Sequence, residues 1–270
     1  MKALIVSRID NTAALTFAGQ IRDLLEAAGC TVVFDSDTGH ALGTAGIPLA
    51  GASADVVIVV GGDGTILRTI QHMDTPVPLL GINWGEVGFL ADLDKADAPA
   101  FVRTLPSGFS VEERMRITLL RDDETLGTAL NEALIVTMRP AKMLRFTIII
   151  DGVPAEQFRA DGLMISTPTG STAYAMSAGG PIVDPRIEGF LLVPLAPYLL
   201  SSRPHLISSR RNLEIRIESA QPASLVIDGQ QTFELGLLST LRIARSEKPA
   251  LFVDVKRNFF EKVDKKLRKL

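Results

Sequence analysis

The chain has 270 residues, with 28 Lys and Arg against 31 Asp and Glu, a formal net charge of −3, and 46% hydrophobic residues. That balance excludes a disordered chain and carries no basic footprint for nucleic acid. A single cysteine, Cys30, rules out an internal disulfide and fits a reducing compartment, while the length leaves room for one large domain or two smaller ones.

From the N-terminus, Ala3–Val6 reads as a buried strand, with Arg8 and Asp10 arriving before a signal-peptide core can develop. Ala13–Ala28 reads as an amphipathic helix with Leu15, Ala18, Ile21, Leu25 and Ala28 near one face, and Gly29 as its left-handed stop. Thr31–Asp35, Val56–Val60 and Leu79–Asn83 are predicted strands, with a helix over Gly64–Met73. Continuously apolar strands between helices indicate a parallel sheet covered on both faces.

The texture changes near Asp92. Short strands are predicted over Arg116–Arg121, Ala129–Met138, Leu144–Ile150, Leu163–Thr167, Leu213–Ile217, Ser224–Ile227 and Leu241–Ala244. Turn signals such as Asp151-Gly152 and Asp228-Gly229 separate them, favouring an antiparallel sandwich or a related β architecture. The weakly polar stretch Gly189–Leu200 holds Pro194 and Pro197 and falls short of the ~20 residues of a spanning helix. At the C-terminus, Phe259, Phe260, Val263, Leu267 and Leu270 form a helical stripe among basic residues, read as a helix docked on its own protein. The expected organisation is a Rossmann-like α/β domain over residues 1–95, joined by 250–270, and a β-sandwich-like domain over 96–249. With no targeting segment, a cytoplasmic location is expected.

Two loops carry chemistry. Gly61-Gly62-Asp63-Gly64-Thr65 follows an apolar strand and precedes a helix, so backbone N–H groups and a helix N-terminus can meet phosphate. Asp63 suits a hydroxyl that must lose its proton, or a metal ion; a helix-capping role stands beside these. Asp161-Gly162 leads through Thr167-Pro168-Thr169-Gly170-Ser171-Thr172-Ala173-Tyr174 to Ser177-Ala178-Gly179-Gly180, offering short hydroxyl donors and one aromatic face. A Ser/Thr/Gly-rich surface loop is the plain alternative. His40, His72 and His205 show no metal-ligand spacing, so no protein-held metal is assigned.

Gly61–Thr65, Gly81-Ile82-Asn83 with Gly88-Phe89-Leu90, Asn131-Glu132, Asp161-Gly162 with Thr167–Tyr174, Ser202-Arg203-Pro204, Asp228-Gly229-Gln230 and the Phe259–Leu270 segment together resemble the NAD kinase family, in family order and over nearly the whole chain. The resemblance implies phosphoryl transfer from ATP, or from polyphosphate in some members, to the 2′-hydroxyl of NAD's adenosine ribose, giving NADP. It implies an N-terminal α/β domain, a C-terminal β-rich domain, an active site between them, and a homodimer or homotetramer whose neighbouring chains contribute to binding. Mg²⁺ is expected with ATP, and neither nucleic acid nor a membrane as partner.

By the same resemblance, Asp63 accepts the ribose proton and Gly64 lies beside the nucleotide. Arg68 could reach phosphate or ribose, or be a solvated arginine. Asn131 and Glu132 match the NAD-contacting pair, with a strand-end cap as the alternative. Asp161 meets the nicotinamide-bearing end, with Arg159 nearby for charge balance. Thr172, Ala173, Tyr174, Ala175, Met176 and Ser177 match the ligand loop, with Tyr174 against a base; Gln230 and Lys142 match further dinucleotide contacts. In the Pro197–Pro204 segment, Tyr198 stands where the family more often has His. A lipid kinase shares the GGDG loop but needs an apolar acceptor pocket, and a non-catalytic NAD-binding regulator would not need Asp63.

Overall fold

The computed structural model describes residues 1–85, 88–198, 202–219 and 221–268. In chain order the strands and helices are β1 (Lys2–Ser7), α1 (Thr12–Ala27), β2 (Thr31–Asp35), α2 (Ser36–Ala41), β3 (Gly46–Ile47), β4 (Val56–Gly61), α3 (Asp63–His72), β5 (Leu79–Asn83), β6 (Leu93–Asp94), α4 (Ala98–Val102) and β7 (Val111–Arg114). There follow β8 (Ile117–Arg121), β9 (Glu124–Ala129), β10 (Glu132–Thr137), β11 (Leu144–Ile150), β12 (Val153–Ala160), β13 (Gly162–Ser166) and α5 (Tyr174–Ser177). The rest are β14 (Gly189–Leu195), β15 (His205–Ser208), β16 (Leu213–Glu218), β17 (Ala223–Ile227), β18 (Gln231–Leu235), β19 (Leu238–Arg245), β20 (Ala250–Val253) and α6 (Phe259–Leu267). They form two compact units, Met1–Glu113 with Ala250–Leu270, and Arg114–Pro249.

In the first unit one sheet runs β3-β2-β1-β4-β5-β20-β7, with β6 also on β5. Strands β1 to β5 pair in parallel, and β20 joins β5 in parallel through Phe252 and Leu79. Every residue of β4 is buried, as a strand covered on both faces requires. Helix α1 lays Ala14, Leu15, Ala18, Ile21 and Leu25 into this core, capped by Asn11, whose side chain accepts the Ala14 N–H. Gly29 follows at φ 79°, the left-handed stop expected of it. Ala28, expected on the apolar face, is exposed at the C-cap, where the chain has already left the helical repeat. The strand order reverses between β1 and β4. In open α/β sheets such a reversal opens a crevice at the carboxyl ends of the strands, and Gly61–Asp63 sits at the carboxyl end of β4.

Helix α6 belongs to this unit. Val263 is buried and Phe259 half-buried, but Phe260 is 56% and Leu267 38% exposed, so the apolar stripe is narrower than its spacing predicts. Leu270 lies outside the described residues. Polar ties dock the helix as well: the Lys262 ammonium donates to the Phe89 carbonyl at 2.6 Å and pairs with Asp92.

The second unit holds two six-stranded sheets, β15-β14-β13-β10-β17-β18 and β12-β11-β16-β19-β8-β9, antiparallel throughout. Leu213, Ile215 and Ile217 of β16 and Leu241 and Ile243 of β19 meet Ile135, Leu163, Ile165, Leu225 and Ile227 of the other sheet in one core. Period-two burial turns these side chains inward, and full burial of each contributes about 1.5–3 kcal/mol. The expected strand Ala129–Met138 is two: Ala129 ends β9, and the chain turns at Leu130 and Asn131 before β10. Strand β14 occupies most of the stretch read as weakly polar. Met164, Leu191 and Val193 pack on their outer face against Ala175 and Val183, so the segment after β13 is a second cover for that sheet. Among the described residues, no helix is long and apolar enough to cross a membrane.

Candidate active site

In the first unit, Gly61 must be glycine, since a Cβ there would meet the Thr65 hydroxyl at 2.5 Å. Gly62 is the N-cap of α3 and Asp63 its first residue, so Asp63 does not cap its own helix. Its carboxylate instead accepts three backbone N–H groups, from Phe89 at 2.6 Å on Oδ2 and from Leu90 and Ala91 at 2.9 and 3.3 Å on Oδ1. A Cβ on Gly88 would stand 2.6 Å from Asp63 Oδ1, and one on Gly81 would meet Ile66 and Ala91, so both glycines make room for this clamp. Oδ2 takes a single N–H and keeps a second lone pair open. Gly64 occupies the following position of α3, and Arg68, one turn on, pairs with Asp37 of α2.

In the second unit, Asp228 and Gly229, at φ 48° and 64°, form the tight turn between β17 and β18. The buried Asp228 carboxylate accepts N–H groups from Leu130 at 2.8 Å, Asn131 at 2.8 Å and Glu132 at 3.1 Å. From the other side, the Thr167 hydroxyl donates to the Leu130 carbonyl at 2.5 Å and the Ser166 hydroxyl to the Asn131 carbonyl at 3.0 Å. Gly170 lies so close that a Cβ would meet the Asn131 carbonyl at 2.1 Å.

The backbone of Asn131-Glu132 is thus clamped, while each side chain keeps one oxygen unmet. Asn131 Oδ1, Glu132 Oε2 and Arg116 Nε are buried without a hydrogen-bond partner. Buried polar atoms are seldom left so, and a cluster of them is what a polar ligand would satisfy. Burial first, then the Asp228 charge, pushes the Glu132 carboxyl up to about 8, so at neutral pH it carries a proton and can donate. Burial also works against the Arg116 charge, and Asp228 offsets part of that cost. Arg116 was not singled out from the sequence, where an arginine heading an apolar strand looks ordinary.

The raised carboxyl has a consequence for stability. The folded chain keeps a proton on Glu132 that the unfolded chain releases near the ordinary value of 4.5. Stability therefore falls as pH rises from about 4.5 towards about 8, by at most ~1.4 kcal/mol per unit. Glu132→Gln mimics the protonated form, so its advantage over the unaltered chain should grow across that window and level off above it. Urea denaturation at three pH values checks this; a difference independent of pH would contradict it.

The hydroxyls of the Thr167–Thr172 run, expected to offer donors to a ligand, are spent mostly on their own loop. Ser171 Oγ donates to Pro168 O at 2.7 Å and accepts from Val183 N at 3.0 Å, and Thr172 Oγ1 donates to Thr169 O at 3.3 Å. The loop then presents Tyr174, 49% exposed, and Ser177, with Ala173 and Met176 half-buried and Ala175 buried.

The expected dinucleotide contacts of this unit divide between two ends of the β10–β13 pair. Glu132 is opposite Ser166 and Val136 opposite Gly162, so Asn131, Glu132 and the exposed Gln230 share one end. At the other end Asp161 is half-buried, and its backbone carbonyl accepts the Thr137 N–H at 3.0 Å. Arg159 stacks its guanidinium 4.6 Å from the Tyr198 ring, and its carbonyl accepts the Tyr198 N–H at 2.8 Å. Lys142 is exposed in the turn that precedes β11. At ~3.3 Å per residue the five residues of β13 separate the ends by roughly 16 Å. Leu199, Leu200 and Ser201 of the Pro197–Pro204 segment lie outside the described residues.

The chain matches the family model for the ATP-NAD kinase N-terminal domain over residues 3–108, and that for the ATP-NAD kinase C-terminal domain over residues 130–255. It is 65% identical to an NAD kinase of Methanoregula boonei and 58% identical to one of Methanoculleus marisnigri, each alignment covering all of both chains. Its fold superposes on the crystal structure of an NAD kinase from Archaeoglobus fulgidus in complex with ATP with a TM-score of 0.83, at 30% identity and full coverage of both chains. Yeast NADH kinase complexed with NADH shares the fold at a TM-score of 0.89 and 22% identity, over 99% of this chain and 87% of that one.

Proposed function

The chain belongs to the NAD kinase family and phosphorylates NAD to NADP, and from that premise we propose how its residues divide the reaction. Asp63 takes the proton of the adenosine ribose 2′-hydroxyl as that oxygen attacks the terminal phosphorus of the donor. The P–O bond to the leaving phosphate breaks, and ADP leaves when ATP is the donor. The clamp on Asp63 supports this role: three N–H groups fix the carboxylate at the N-terminus of α3, and Oδ2 keeps a lone pair for the proton. Gly64 contributes a backbone N–H at the same helix end, where phosphate charge is favoured. Arg68 holds α2 through Asp37, which leaves Asp63 as the acid–base group of this loop.

Asn131, Glu132 and Gln230 read the dinucleotide at one end of the second sheet. The single observation that carries this assignment is the orphaned pair Asn131 Oδ1 and Glu132 Oε2 on a rigid backbone. Tyr174 presents its ring to a base, with Thr172, Ala173, Ala175, Met176 and Ser177 shaping the loop that holds it. Asp161, Arg159 and Lys142 serve the nicotinamide-bearing end. Their place at the opposite strand ends supports a homodimer or homotetramer in which one chain's Asp161 end completes a neighbour's site.

Among the described residues, no three His, Cys, Asp or Glu side chains converge as metal ligands, and three N–H groups already occupy Asp63. That donor set fits Mg²⁺ brought in on the phosphates of ATP and ligated mainly by phosphate and water. Bound so, it would neutralise charge on the transferring group. A cytoplasmic location fits the lone, buried Cys30. The test is a steady-state assay of ATP and polyphosphate as donors against NAD and NADH as acceptors. NADP from NAD and ATP is the expected product, and its absence with every donor in folded protein overturns the reading.

A further inference from the structure

Helix α6 carries a group that the roles above leave unused. Lys266 Nζ is buried and has no hydrogen-bond partner. It lies 5.0 Å from the centroid of the Phe89 ring and borders a cavity of about 490 Å³. Asn83 and Ala91 form part of the same cavity wall, and the Ala91 N–H is one of the three that hold Asp63. The cavity therefore adjoins the catalytic carboxylate within one unit of the chain.

The other charges lining this cavity are largely spoken for. Lys262 pairs with Asp92, and Arg257 bridges Asp94 at 3.1 Å and Asp97 at 2.7 Å. Lys266 has no such bridge, and Lys265 lines the cavity beside it. A sealed ammonium without an acceptor is costly, and the cost is removed when an anion enters beside it. Burial, and then the nearby Lys262 charge, push its amine down to about 8, and the charges of Asp63, Asp92 and Asp94 offset only part of that.

We propose that Lys266, with Lys265 at the rim, binds the phosphate chain of the phosphoryl donor and holds its terminal phosphate towards Asp63. The inference rests on the kinase reading above and extends it to the donor subsite. A linear polyphosphate tail and the triphosphate of a nucleotide present the same oxygens, so an ammonium, with no preference for a base, would serve both. Helix α6 then has two tasks: Lys262 fixes the Phe89 carbonyl and so the loop that grips Asp63, and Lys266 meets the substrate one turn later.

The experiment compares the unaltered enzyme with Lys266→Met, which keeps the aliphatic stem and drops the charge. Calorimetry with ATP and with inorganic tripolyphosphate should show both dissociation constants raised at least ~10-fold, as loss of a charge-assisted contact implies. The KM for ATP should rise with them while that for NAD stays put, and Lys266→Arg should keep most of the affinity. A melting temperature equal to or above that of the unaltered chain is expected, because an unpaired buried charge has gone. Should the Met variant fail to fold, Lys266→Gln carries the same comparison with a polar side chain. Unchanged affinity for tripolyphosphate and ATP in either folded variant overturns the inference while leaving the kinase reading intact. A chain that makes no NADP from any donor overturns both.

Discussion

Asp63→Asn should lower kcat by at least ~10²-fold, the contribution typical of a positioned general base. An amide cannot take the ribose proton, and the substitution changes little else in shape. It does change the clamp. With its oxygen kept at the Oδ1 site for Leu90 and Ala91, the amide nitrogen would face the Phe89 N–H, donor against donor. That mismatch costs about 1–3 kcal/mol, so a lower melting temperature accompanies the kinetic loss. The two effects separate because turnover is measured well below the unfolding transition, at saturating Mg²⁺, on protein shown to be folded. Near-normal kcat would move the proton acceptor elsewhere; a stability loss with intact kcat would make Asp63 a structural tie between α3 and the segment from Phe89 to Ala91.

Asp228→Ala is expected to be among the most damaging substitutions in the second unit. It strips the acceptor from three N–H groups, of Leu130, Asn131 and Glu132, at a buried turn. Each orphaned donor costs roughly 1–3 kcal/mol, so a total loss of at least ~3 kcal/mol is expected. The turn also loses the carboxylate that offsets burial of Arg116. NAD binding should fall steeply, because the backbone carrying the Asn131 and Glu132 side chains is no longer held. Urea denaturation and NAD calorimetry together check this. A variant with native stability and native NAD affinity would show that Thr167 and Ser166 hold the turn alone.

Much of the first unit was legible because its signals are local. An apolar β-branched run before Gly61-Gly62-Asp63 announces a buried strand and a strand-to-helix turn, and Gly29 announces the end of α1. In the second unit, alternation made β16 and β19 readable. Strand β12 was not, because Val153–Ala160 includes Pro154 and carries Glu156, Gln157 and Arg159 among its apolar residues, and most of it is exposed. The return of residues 250–270 to the first unit was expected, but strand β20 within it was not, because its partner β5 lies far back in the chain and the pairing rests on Phe252 and Leu79.

The candidate site divides along the same line. Residue types and motif order pointed to Asp63, Asn131 and Glu132. What they are attached to was not legible, since the Asp63 clamp spans 26 to 28 residues and the Asp228 clamp 96 to 98. Hydroxyls in the Thr167–Thr172 run look alike in sequence whether they face a ligand or their own backbone, and only the fold distinguishes them. Arg116 carries no motif and Lys266 is one of several alike basic residues in the Phe259–Leu270 segment, so their orphaned nitrogens appear only once burial is known.

Which oxygen receives the phosphate decides the reaction, and the product of the donor assay answers that directly. Phosphorus NMR of the dinucleotide formed from NAD and ATP should show a new monoester on the adenosine ribose 2′-oxygen. An NAD analogue lacking that single hydroxyl should bind but accept no phosphate. A monoester on any other hydroxyl, or phosphorylation of the 2′-deoxy analogue, would contradict the account.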